Sequence, residues 1–556
     1  MSTTVEPGPV ASTRRWQSGL VDQLLGRLMR LPDGSGYTVF RGLRVPMRDG
    51  VQLVADHYAP AVSPALGTVL VRGPYGRAAL YALLYARVYA ARGYHVLLQS
   101  CRGTFGSGDS FQPMLREIDD GHDTVAWLRD QPWFDGRLAT MGPSYLGFTQ
   151  WALLMEPPPE LRTAVVSMAP HDFSRSTHGT GAFTLGDFLG WSDLVARQEE
   201  TGFVRGLVRS ATAARRLKPG LDGVPLAAAG EEALAGRASW YRDWASRPDP
   251  GDPYWKPMQL VEALDRVQVP VLLIGGWQDL FLDQTLDQYA HLHRRGVDVA
   301  LTVGPWTHMD LVTKAAPTTA RETLDWLGEH LAGSPGRRRP APVRIYVTGA
   351  DGGWRGLPEW PPAADEEVFY LQPGGGLGPD DPPTGAAPSR FTYDPARPTP
   401  TVGGRVLASA SGVRDNRALE GRPDVLTFTG AVLAADLEVV GAPVVELAHH
   451  SDNPHADVFV RICDVDADGR SRNVSDGFVR LDTADTAGVV RKELDAVAHR
   501  FGAGHRIRLQ ISGGSHPRFA RNLGTEEPAA GATRIVLSHR TITLGGSRVV
   551  LPVAAR

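Results

Sequence analysis

Cysteine is nearly absent from this chain: its 556 residues include only Cys101 and Cys463. One disulfide at most could join them, and two sulfurs so far apart in sequence cannot build a thiolate metal cluster. Reduced thiols in a cytoplasm are the economical reading. An excess of one charge is missing as well. Lys and Arg number 58 against 61 Asp and Glu, and a formal net charge of −3 creates no field able to gather nucleic acid or anionic membrane. Long apolar runs are also lacking. No segment reaches the roughly 18 apolar residues needed to span a bilayer, and residues 1–15 have neither the apolar stretch nor the small-residue cleavage site of a signal peptide. These absences predict a soluble cytoplasmic protein with no nucleic-acid or membrane partner.

The length suits roughly two to four domains. Within an N-terminal arm, 1–36, Trp16, Leu20, Val21, Leu24, Leu25, Leu28 and Met29 fall at helical spacing before Pro32. An amphipathic helix there would dock on the body of the protein or on a second copy of the chain in a homodimer. From Tyr37 to Tyr58 alternating residues flank the turn Arg48, Asp49, Gly50, which predicts a hairpin. Six short β-branched or apolar runs follow: Thr68 to Val71, His95 to Gln99, Leu138 to Met141, Ala164 to Ser167, Val271 to Ile274 and Val299 to Val303. Helical patterns separate most of them, so a parallel sheet covered on both faces is expected, carried by 37–176 and 268–340. Between these parts the strand signal disappears, and 177–267 reads as a helical cap. Beyond a Gly, Ser, Pro and Arg-rich linker, 341–556 has short strands between Gly, Pro and Asp turns, which predicts an all-β jelly roll with a flexible loop from Gly374 to Pro388.

Chemistry enters at Gly142, Pro143, Ser144, Tyr145, Leu146, Gly147, a turn between a predicted strand and a helix over Phe148 to Met155. A strained strand-to-helix turn is where a serine nucleophile is presented, with the helix N-terminus favouring developing negative charge. Leu146 stands where the pattern G-x-S-x-G has its second glycine, and Gly147 follows one place later. A serine hydroxyl also needs a histidine to take its proton and a carboxylate to orient that histidine. Asp279 lies just past the strand from Val271, and His308 just past the strand from Val299, both at the carboxyl edge where ligand chemistry gathers in open α/β sheets. The order serine, acid, histidine is that of α/β hydrolases. Asp283 and Asp310 are the nearest alternative acids.

These segments resemble the cocaine-esterase and X-prolyl dipeptidyl peptidase family, the CocE/NonD hydrolases. The match runs through VPMRDGVQLVADHY from Val45, RGPYGR from Arg72, QSCRGTFGSG from Gln99, the segment from Asp123 that ends in GPSYLG, GGWQDLF from Gly275, GPWTH from Gly304 and YDPARPTPTVGG from Tyr393. The resemblance implies an α/β hydrolase domain with a helical cap insertion plus a C-terminal all-β jelly-roll domain, and an elbow with its glycine at the later place. It also implies an oxyanion hole made by the Tyr75 hydroxyl and the backbone N–H of Tyr145, with no cofactor and no metal. Tyr75 could instead be a packed turn tyrosine. Phe281 is similar to a family position lining the acyl pocket and Trp191 is a second pocket candidate, though either could be a core aromatic. The family usually has aspartate where Ser100 stands, which affects local packing more than chemistry. Arg102 reads as a loop brace and Cys101 as a small core residue.

The expected activity is hydrolysis of a small ester or amide through an acyl-enzyme. Alternatives are an X-Pro dipeptidyl peptidase or amino-ester hydrolase, an acyltransferase acting on a natural product, and a catalytically idle carbohydrate-binding protein. The amine-binding alternatives need a carboxylate cluster, and Asp187, Glu199 and Glu200 are read instead as a solvated helix face.

Overall fold

In the computed structural model, which describes residues 13–16, 20–200, 203–334, 339–407, 410–481 and 487–555, the β-branched runs form one side-by-side sheet. Its strands are β1 (Tyr37–Pro46), β2 (Gln52–Pro60), β3 (Thr68–Gly73), β4 (His95–Ser100), β5 (Leu138–Pro143), β6 (Leu161–Ser167), β7 (Val271–Gln278), β8 (Val299–Thr307) and β9 (Val343–Gly349). They lie in the order β1-β2-β4-β3-β5-β6-β7-β8-β9; the first two pairings are antiparallel and the rest parallel.

Period-two alternation sends successive side chains to opposite faces, and both faces are covered. Leu70, Leu97, Leu138 and Leu273 enter one core with Phe148 and Trp151. Val69, Val96, Ala139 and Leu272 enter the other, with Trp326 and Leu327. Burying side chains as large as Phe148 and Trp151 contributes about 1.5–3 kcal/mol each. The helices that matter for the site are α1 (Glu117–Arg129), α2 (Tyr145–Leu153), α3 (Leu185–Arg197) and α4 (Leu282–Arg294). The cap is helical, as expected: α3 is followed by Phe203–Asp222, Leu226–Ala233, Tyr241–Ser246 and Val261–Arg266. Its aromatic residues Phe188, Trp191, Trp240, Trp244 and Trp255 join the same core as α2, which joins cap and sheet.

Beyond β9 lies the all-β jelly roll. Its 17-residue last strand, Ser538–Ala554, pairs with Ser389–Tyr393 along its first part and with Ala364–Gln372 along its second. Phe428, Ile462, Leu509 and Leu551 lie in its interior. Strand β9 links the two regions. Val343 to Ile345 pair with β8, and Thr348 and Gly349 pair with the jelly-roll strand Val497–Phe501.

Two expectations need correction. Trp16 belongs to a short strand, Thr13–Trp16, paired with β1, and the arm's helix spans only Leu20–Leu28. The edge of β1 offers backbone partners that helical periodicity cannot reveal. The loop from Gly374 to Pro388 is partly anchored, because Gly376–Gly378 pairs on both sides with neighbouring strands. Residues 335–338 of the expected linker and 1–12 of the arm lie outside the described residues. No helix among the described residues is long and apolar enough to cross a membrane.

Candidate active site

Ser144 sits at the tip of β5 with φ 56° and ψ −124°, a conformation that is costly for a residue with a Cβ. Bonds on both sides hold it there. Its N–H donates to the Ser167 carbonyl at 3.0 Å, and its own carbonyl accepts from the N–H groups of Gly147 and Phe148 at 2.9 and 3.0 Å, opening α2. The displaced glycine now has a physical reason. A Cβ on Gly147 would lie 2.2 Å from the Cβ of Ala169, so the closest approach of the elbow to the segment just past β6 falls at this later position. Leu146 fits because Gly73 and Gly142 leave it room: a Cβ on either would come within 2.3 or 2.5 Å of its side chain.

Asp279 follows β7 directly and is fully buried. Its Oδ1 lies 2.6 Å from Nδ1 of His308, and its Oδ2 accepts the Phe281 N–H at 2.9 Å. A carboxylate at Nδ1 keeps the proton on that nitrogen and leaves the Nε2 lone pair free to act as a base. His308 opens the short helical turn after β8, and the Phe281 ring meets the imidazole edge-on at 5.4 Å. The rival acids are engaged elsewhere. Asp310 accepts from the Thr307 N–H and hydroxyl, both at 2.9 Å, while Asp283 is paired with Arg405.

Tyr75 is held against Ser144 from the cap. The Trp191 indole N–H donates to the Tyr75 hydroxyl at 3.0 Å. Burial raises the Tyr75 phenol above its ordinary value, opposed by hydrogen bonds with Trp191 and Ser144. The serine hydroxyl lies near that of Tyr75, and among the described residues no hydrogen bond joins it to His308. Such catalytic bonds often tighten only when substrate is present. The N–H of Tyr145 is the first of α2, so it has no acceptor within the helix. The Tyr145 side chain points away from the elbow and is fixed there. Its hydroxyl donates to Glu117 Oε1 at 2.8 Å and accepts the Met114 N–H at 2.7 Å, and Glu117 is paired with Arg72 at 3.0 Å.

Trp191 bonds Tyr75 and stacks parallel to Tyr145 at 6.2 Å. Sequence spacing carried no sign of that reach from the cap. Nor did it mark Glu117 and Arg72, which brace the elbow from below. Arg102 is a brace as expected, with Asp49 at 2.8 Å and Asp120 at 2.6 Å. At Ser100, Arg77 uses the hydroxyl together with Asp56, 3.3 Å away, so packing is maintained without the family aspartate. Burial holds the Cys101 thiol well above its ordinary value, which makes it a poor nucleophile.

The expectation of a solvated acidic face on the cap holds for Glu199 and Glu200, which are exposed, and is overturned for Asp187. Asp187, in the first turn of α3, is 2% exposed. Its Oδ1 accepts the Leu407 N–H at 2.7 Å, its Oδ2 has no partner, and burial pushes the carboxyl up to about 6. Glu199 accepts the Phe105 N–H at 2.9 Å, and Glu200 is paired with Arg237. The three carboxylates thus serve three separate contacts and form no cluster.

Comparison with known proteins agrees with this architecture. Residues 49–310 match the family model of the X-Pro dipeptidyl-peptidase (S15 family), and residues 336–549 match that of the X-Pro dipeptidyl-peptidase C-terminal non-catalytic domain. A cocaine esterase from Rhodococcus sp. (strain MB1 Bresler) is 31% identical, over 94% of this chain and all of its own length. Among solved structures, an aminopeptidase from a marine sediment Thaumarchaeota archaeon superposes with a TM-score of 0.79 at 23% identity, and an α-amino acid ester hydrolase with 0.77 at 24%. Each covers 93% of this chain and 97% of its own. Two domain models matched in order, and a relative aligned from end to end, mean that the chain belongs to the S15 and cocaine-esterase family of serine hydrolases.

Proposed function

We propose that this hydrolase cleaves a small ester or amide through an acyl-enzyme on Ser144. His308 Nε2 takes the serine proton as Oγ attacks the carbonyl, then delivers it to the departing alcohol or amine. Asp279 stabilises the imidazolium and holds its tautomer. The Tyr75 hydroxyl and the Tyr145 N–H donate to the tetrahedral oxyanion, and water then clears the acyl group by the same steps in reverse. The observation that carries the reading is the 2.6 Å Asp279–His308 bond, made at the same sheet edge as a serine held at positive φ. Phe281 and Trp191 supply apolar walls. A cytoplasmic location, expected from composition, is part of this reading; both cysteines are buried thiols outside any disulfide.

A substrate bearing a protonated amine is a second reading, supported by the match of residues 49–310 to the X-Pro dipeptidyl-peptidase family model. Turnover of p-nitrophenyl acyl esters, aminoacyl p-nitroanilides and alanyl-proline p-nitroanilide by wild type and Ser144→Ala tests both. Ester turnover lost in Ser144→Ala is the expected result. A preference for the anilides with a free amine moves the assignment to the second reading, and turnover that survives in Ser144→Ala sinks both.

A further inference from the structure

The all-β domain, matched by a family model described as non-catalytic, reaches the acid–base half of the site at three points. Arg405, buried, donates to both oxygens of Asp283 at 2.7 and 2.9 Å and also bonds Asp495. Asp283 lies in the first turn of α4, the helix whose start is bonded to Asp279 through the N–H groups of Phe281 and Leu282. Two residues past Arg405, the Leu407 N–H holds Asp187, and Gly412 approaches so closely that a Cβ there would lie 3.0 Å from Thr307, the residue before His308. Arg405 does not move independently of its own domain. Arg518 lies 4.0 Å from Asp495 and 2.8 Å from Asp476, and Asp476 takes a two-pronged bond from Arg461 at 2.6 and 2.8 Å.

We propose that Arg405 is a positioning residue for the acid–base pair, acting through Asp283 to set where α4 begins and hence where Asp279 meets His308. The proposal rests on the Ser144, His308 and Asp279 reading above. A planar guanidinium bonding two carboxylates fixes direction as well as distance, which a lysine cannot do. The jelly roll therefore completes the active site without touching substrate.

The test compares Arg405→Met, Arg405→Lys and Asp283→Asn with wild type on p-nitrophenyl acetate, with Asp279→Asn as reference. Asp283 is 57% exposed, so its variant folds even if Arg405→Met does not. A displaced acid should lower kcat by about tenfold or more with KM within about twofold. The acid limb of the pH profile carries the discriminating sign. His308 bonds Asp279, interacts with Asp187 and shares its helical turn with Asp310; one step further out, Arg518 acts on Asp187 and Arg405 pairs with Asp283. Removing a cation alone would move that limb up, whereas loosening the Asp279–His308 bond moves it down. The expected result is a limb shifted down by about half a pH unit or more in Arg405→Lys, which keeps the charge, while Asp283→Asn, which loses a carboxylate, is read through its fall in kcat. Folded variants with wild-type kcat and an unmoved limb overturn the proposal, as does a rise in KM alone. Full activity in Asp279→Asn would instead overturn the reading on which it rests.

Discussion

At the scale of single residues, the oxyanion side of the proposed mechanism rests on a phenol held by an indole from another part of the chain. Tyr75 is fixed by Trp191 before any substrate arrives, so its hydroxyl needs little reorganisation when the oxyanion forms. Tyr75→Phe keeps the packing and removes the donor. It should lower kcat by about a hundredfold to a thousandfold with little change in KM for an ester, measured by steady-state kinetics on p-nitrophenyl acetate. A wild-type kcat in that variant would remove Tyr75 from the mechanism. Tyr75 was singled out through the resemblance carried by the RGPYGR segment. The indole that holds it was not, because a bond between residues 116 positions apart leaves no local pattern.

Among elements, the elbow shows how a departure from a motif becomes intelligible through packing. The requirement for a small residue follows the point of closest approach between α2 and the segment that leaves β6, and here that point is Gly147 against Ala169. Gly147→Ala would force the helix outward. We expect a loss of about 1–3 kcal/mol, read from the urea midpoint, together with impaired ester turnover. A variant with wild-type midpoint and rate would show that Gly147 has no such role. The N-terminal arm marks the limit of periodicity. Its apolar spacing is real, yet Met29 packs against Leu84, Ala316 and Ala320, while Val21, Leu24 and Leu28 remain 59%, 60% and 68% exposed. Spacing identifies a stripe and leaves open which part of it meets the body.

For the whole molecule, Asp187 joins the cap to the jelly roll through the Leu407 N–H and makes stability depend on pH. Its carboxyl is pushed up to about 6 from an ordinary 3.8, burial being the main cause. Between those values the folded chain holds a proton that the unfolded chain has released. Stability from this group is therefore greatest below pH 3.8 and falls as pH rises through 6, by about 3 kcal/mol in total. Asp187→Asn keeps an oxygen for Leu407 and has no charge to bury. Urea unfolding at pH 4 and pH 7 should show the variant gaining on wild type at the higher pH, and parallel profiles for the two proteins would refute the linkage.

Strand positions, the helical cap, the all-β region and the chain order of Ser144, Asp279 and His308 could all be read from the amino acids, because they depend on alternation, on turn chemistry and on which residue follows each strand. The tertiary structure decided which of three neighbouring acids bonds the histidine, why Leu146 is tolerated beside the serine, and that Asp187 is buried. It also brought Trp191 and Arg405 to the site from the cap and the jelly roll. Those outcomes arise where separate elements meet, and contacts between distant residues are set by how the faces pack.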